Sequence, residues 1–191
     1  MSKLIPLGRA PRNCEDRQSL IAEQVAREER LADMGHDSVR MMIVEYLISE
    51  KGYLREDIET GIEFKIELND ASFTVKADVV IKVSGRNFLL VKCAMSSPES
   101  WERYTVAICR AACSETIPFC LVTDGEFARL INVRTGEIAC EGFKGLPSKQ
   151  EAVPLVEEIS KSSFSCKTPE KEKRILFAFS GIACPADSEK G

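Results

Sequence analysis

Apolar positions change their spacing twice along this chain, and the changes outline its elements. From about Arg17 to Met34, and again from Asp37 to about Glu50, they recur at helical intervals; Gly35 and Gly52 stand where the two helices would close. In the second helix Val39, Met42, Ile43, Tyr46 and Leu47 form a core-facing stripe, with Arg40 and Glu45 beside it. From Gly61 the period becomes two. Ile62, Phe64, Ile66 and Leu68 alternate with Glu63, Lys65 and Glu67, the pattern of a half-buried strand. Asn69-Asp70 reads as a turn, after which Phe73, Val75, Ala77, Val79, Ile81 and Val83 alternate with Thr74, Lys76, Asp78, Val80, Lys82 and Ser84. This alternation aims Asp78 away from the main apolar row.

After a turn at Gly85-Arg86, Phe88 to Val91 is apolar on both faces, as in a central strand covered on both sides, and Lys92 interrupts it. Ser97-Pro98 opens a helix running to about Ser114, with serine as N-cap, proline at the first position, and Tyr104, Ile108, Ala111 and Ala112 facing inward. A second apolar strand, Ile117 to Thr123, completes a strand-helix-strand crossover. Phe127–Val133 and Glu137–Phe143 add a short antiparallel pair. Beyond Gly145-Leu146-Pro147 come a weaker helix from Ser148 to Ser160, interrupted by Pro154, and another from Pro169 to Ser180 between Thr168 and Gly181. The order predicts an α/β fold: a restriction-endonuclease-like mixed sheet flanked by helices. The chain reads as one domain overall, with an N-terminal extension and helix over 1–36, a core over 37–147 and a C-terminal helical extension and tail over 148–191.

Composition adds exclusions more than assignments. With 26 basic and 30 acidic residues the formal net charge is −4, so no global field gathers polyanions and any nucleic-acid surface must be local. No apolar run has the length of a signal peptide or a membrane span, which predicts a soluble, cytoplasmic protein without a membrane partner. The eight cysteines lie mostly among apolar or small residues and read as reduced core thiols; Cys109 and Cys113, four apart, lack two further zinc ligands. His36 is the only histidine, and at a helix junction it reads as solvated. A histidine-based triad is not expected.

The segments Val44 to Tyr53, Lys76-Ala77-Asp78-Val79-Val80-Ile81, Leu90-Val91-Lys92-Cys93-Ala94, and Thr123-Asp124-Gly125 with Ala128-Arg129-Leu130 carry a resemblance. Over roughly residues 37 to 147 the chain resembles the N-terminal domain of type I restriction enzyme R subunits, a family of PD-(D/E)XK nucleases. That resemblance implies a strand aspartate and the glutamate of a Glu-x-Lys triplet binding Mg²⁺, with the lysine orienting or activating the attacking water. Two carboxylates offset the charge of the metal beside the scissile phosphate. Asp78 matches the aspartate and would be the metal ligand of an active site. Lys92 falls where the glutamate belongs and Ala94 where the lysine belongs, so the triplet is degenerate.

A buried ammonium needs a counter-charge, which makes Asp78 the expected partner of Lys92. The alternative is an active Mg²⁺-dependent DNA endonuclease using Asp78, Lys92 and a carboxylate from Glu45 or Glu63. Without cleavage, a DNA-binding or protein-interaction role remains. Lys76, Lys82, Arg86, Arg103 and Arg110 are the candidate phosphate contacts, and Trp101 and Tyr104 the candidate stacking residues, although Tyr104 lies on the inward stripe.

Overall fold

Antiparallel neighbours joined by tight turns build most of the sheet. The protein is described by a computed structural model covering residues 35–68, 71–94, 98–111, 116–161 and 169–180. A helix over residues 35–49 (α1) precedes a short 3-10 turn, Arg55–Asp57. Strands β1 (Ile58–Leu68), β2 (Ala71–Val83) and β3 (Arg86–Cys93) then meander antiparallel. The β2–β3 turn places Ser84 and Gly85 at φ 53° and 77°, the left-handed pair that suits the right-handed twist of a hairpin. Helix α2 (Pro98–Ala111) crosses to β4 (Phe119–Thr123), which pairs parallel with β3; β5 (Ala128–Asn132) and β6 (Ile138–Glu141) complete six strands in sequential order. Helices α3 (Lys149–Lys161) and α4 (Pro169–Ser180) follow. The expected α/β mixed sheet flanked by helices is present.

Burial on both faces follows from the apolar runs in β3 and β4. Phe88, Leu89, Leu90, Val91, Leu121 and Val122 are almost wholly buried. On one side of the sheet Ile43 and Leu47 of α1 and Ala152 and Val156 of α3 join Val79, Ile81, Phe88 and Val91. On the other, Val106, Ala107 and Ile108 of α2 and Leu176 of α4 pack on Val80, Leu90 and Cys120.

Several expectations change. The apolar row of β2, continuous in the sequence, divides in space: Val79 and Ile81 join the α1 and α3 cluster, while Val75 and Ala77 join the α2 and α4 cluster. The strand runs past β3, which pairs with only its Val79–Val83 end; among the described residues the outer part pairs with β1 alone, beneath α4. Gly35 does not close a helix before Asp37, since both residues lie within α1, where Asp37 pairs with Arg40 at 2.9 Å instead of capping. Pro154 does not interrupt α3. The helix is held instead by its start, where Ser148 and Glu151 cap each other, and by its inner face, where Ala152 and Val156 are buried. The helix expected from Arg17 to Met34, the turn at Asn69-Asp70, and Ser97, Thr168 and Gly181 lie outside the described residues.

Among the described residues no helix is long and apolar enough to cross a membrane. Of the four described cysteines, Cys93, Cys109 and Cys120 are buried and Cys140 is half-buried.

Candidate functional site

Register puts two opposite charges side by side in the middle of the sheet. Because Val79 pairs with Val91 in the antiparallel β2–β3 ladder, Asp78 and Lys92 stand opposite one another, their side chains on the same face. The Lys92 ammonium lies 3.0 Å from Asp78 Oδ2, which also accepts the Cys93 backbone N–H at 2.7 Å. This is the ion pair expected from the sequence. Ala94, where the lysine of the triplet would stand, is buried, and its N–H donates to the Thr123 carbonyl at 2.7 Å.

The second partner of Asp78 was not expected. His36 Nε2 lies 3.2 Å from Asp78 Oδ1, so the only histidine reaches the centre from the first described turn of α1. It sits seven residues before Ile43 and eleven before Leu47, on the stripe that faces the sheet. Ending the stripe at Gly35 hid it; running the helix back one turn exposes the spacing. The turn between β4 and β5 supports this end of α1: Thr123 Oγ1 donates to the Phe127 carbonyl, Asp124 accepts the Glu126 and Phe127 N–H groups, and Gly125 packs toward Val39 and Met42.

Electrostatics fix the charges at the centre. Burial by itself would raise the carboxyl of Asp78, but the hydrogen bond from His36, the charge of Lys92 and the Cys93 N–H together hold it below its ordinary value. That same hydrogen bond raises His36, against desolvation and the nearby Lys92 and Arg40. Burial and the Asp78 charge push the Cys93 thiol up to about 12, which leaves it protonated and unreactive.

The polar row continues across the sheet. Lys92 is opposite Val122, Val122 opposite Arg129, and Arg129 opposite Glu141. Arg129 reaches Glu141 at 3.1 Å and Glu102 of α2 at 2.6 Å. Above the row Trp101, Tyr104 and Phe179 form a half-buried aromatic cluster, and the Lys92 ammonium lies 5.5 Å from the centre of the Trp101 ring.

A family model described as type I restriction enzyme R protein N terminus matches residues 35–147, more than half of the chain and all of this centre. The chain belongs to that family. No curated protein and no solved structure is similar enough to match it. The R-subunit N-terminal match begins beside His36 and stops ahead of α3 and α4. Within this R-subunit-like domain Asp78, Lys92 and His36 therefore come together, while the other nominated residues stand apart.

Glu63 is exposed and pairs with Lys76 at 3.1 Å. It lies two residues beyond Gly61, the residue that faces Asp78 across the constant β1–β2 register. Glu45 is exposed, roughly 13 Å further along the α1 axis than His36. Lys82 pairs with Glu59 at 2.6 Å, and Arg86 hydrogen-bonds Ser160 Oγ. Arg103 and Arg110 both meet the buried carboxylate of Glu172, at 2.6 and 3.2 Å, although Arg103 lies outside hydrogen-bond alignment with Oε2. Among the described residues no group of three or more metal-ligating side chains comes together.

Proposed function

We propose that this R-subunit N-terminal relative is a degenerate PD-(D/E)XK domain that binds DNA without cleaving it. The observation that carries the reading is the Lys92 ammonium 3.0 Å from Asp78, in the place where the family resemblance puts a second metal-binding carboxylate. The donor set does not fit Mg²⁺. A hard divalent cation is held by oxygen ligands, whereas here a single carboxylate is already engaged by an ammonium, an imidazole and a backbone N–H. A divalent ion a few ångströms from an ammonium meets a repulsion on the order of several kcal/mol even at an effective dielectric near 20. With Ala94 in the lysine position, nothing takes the role of orienting water.

The competing reading, an active Mg²⁺-dependent endonuclease, needs Glu45 or Glu63 beside Asp78. Their positions on the exposed face of α1 and in the Lys76 ion pair do not favour it. DNA binding is supported by family membership and by the partly exposed cations around Asp78.

A plasmid-nicking assay in Mg²⁺ or Mn²⁺ separates the readings. The wild-type protein is expected to leave supercoiled plasmid intact, and the Lys92→Glu/Ala94→Lys double variant to gain metal-dependent nicking. Wild-type nicking that disappears in Asp78→Ala would overturn the degenerate reading. A salt-dependent binding titration tests the rest: no binding at low salt would leave a protein-interaction module.

A further inference from the structure

The three charged side chains at the centre are not equally accessible. The Asp78 side chain retains 7% of its exposure, against 14% for Lys92 and 27% for His36, while Arg40, one turn along α1 from His36, retains 30%. The acid is the most deeply buried of the group, and exposure rises from Lys92 to His36 and Arg40. A site of the kind that presents carboxylates to a metal therefore presents positive charge to an incoming anion. Asp37 offsets Arg40, and Asp78 offsets one of its two cationic partners, so the group keeps a single net positive charge when His36 is protonated.

Beside this rim lies the half-exposed indole of Trp101. Tyr104 meets it edge-on at 5.3 Å and 82°, Phe179 packs at 6.1 Å, and the Lys92 ammonium stands 5.5 Å from its ring centre. These neighbours hold the ring in one orientation, so a planar ligand meets a platform already ordered. An anion-attracting rim next to a fixed aromatic face matches the two chemical parts of a nucleotide, phosphate and base. In an intact duplex both faces of a base are covered by its neighbours; only an unpaired or displaced base has a face free to stack.

We propose that the centre takes an unpaired nucleotide of a single strand, with phosphate against His36, Arg40 and Lys92 and the base against Trp101. This rests on the nucleic-acid reading above and adds the class of strand recognised. Arg103, Arg110 and Arg129, on the same helix and a neighbouring strand, are held by Glu172 and Glu102 away from Asp78.

The chain contains a single tryptophan, so its fluorescence reports on this platform alone. The probes are a short oligothymidylate and a blunt duplex of the same length, both at low salt. Saturable quenching by the oligothymidylate is expected, with binding about tenfold weaker for the duplex. By anisotropy of a labelled oligothymidylate, Trp101→Ala should weaken binding by about tenfold and Trp101→Phe, which keeps an aromatic face and the packing, by clearly less. Equal binding of both probes without quenching would overturn the unpaired-nucleotide inference while leaving DNA binding in place. Binding of neither would overturn both.

Discussion

His36 and Asp78 depend on one another, and the signs of their shifts set a pH window. Asp78 is held below the ordinary carboxylate value, so its contribution to stability is complete above about pH 3.9 and is lost as pH falls through its lower folded value. His36 is raised, so its contribution is complete below about pH 6.5 and is lost as pH rises through its higher folded value. Between the two unfolded values both contributions are fully present. As the only histidine, His36 gives a single imidazole resonance, whose NMR titration midpoint is expected above that of an unfolded peptide and should drop in Asp78→Asn. A midpoint at or below the peptide value would mean that the contact does not hold in solution. The Asp78–Lys92 pair was legible in the sequence because two-residue alternation and a tight turn fix which side chains face each other. His36 was not, because the decision turned on whether Gly35 ends a helix, and glycine is compatible with either outcome.

At the scale of elements, what reads clearly is what periodicity and turn chemistry determine. The apolar runs of β3 and β4 predicted a doubly covered centre, and helix α2 between them begins where Ser97-Pro98 predicted it. The attachment of α4 was less legible. Its place depends on Glu172, buried to 3% exposure between Arg103 and Arg110, and two arginines seven apart on a helix look like surface cations until a partner arrives from a distant segment. Arg110 also donates to the Val133 carbonyl at 2.9 and 2.6 Å, tying the clamp to the end of β5. Replacing Glu172 with Ala strands two cations in a partly dry interface. A loss of about 3 kcal/mol in urea unfolding is expected. A change within about 0.5 kcal/mol, the range of ordinary surface substitutions, would show that α4 docks by its apolar face alone.

For the molecule as a whole, the balance of charge constrains how it would meet nucleic acid under the proposed reading. The net of −4 works against gathering a polyanion at long range, and the five basic residues nominated from sequence all have partners within the protein. Binding through His36, Arg40 and Lys92 should displace few counterions: the log–log slope of affinity against salt is expected near about −2 for single strands. A slope steeper than about −5 would instead require a broad basic face. Beneath this, the sheet is not a uniform platform. Among the described residues the outer part of the β1–β2 hairpin has no third strand beside it and is clasped by α4, which brings Leu176 into the same cluster as Ile66, Val75 and Ala77. The outer part of the hairpin and α4 thus share one apolar cluster and are expected to open together while β3, β4 and β5 keep their hydrogen bonds. Since Phe179 belongs to that helix and packs against Trp101, each such opening would also free one side of the indole, linking a local unfolding event to the shape of the proposed nucleotide platform.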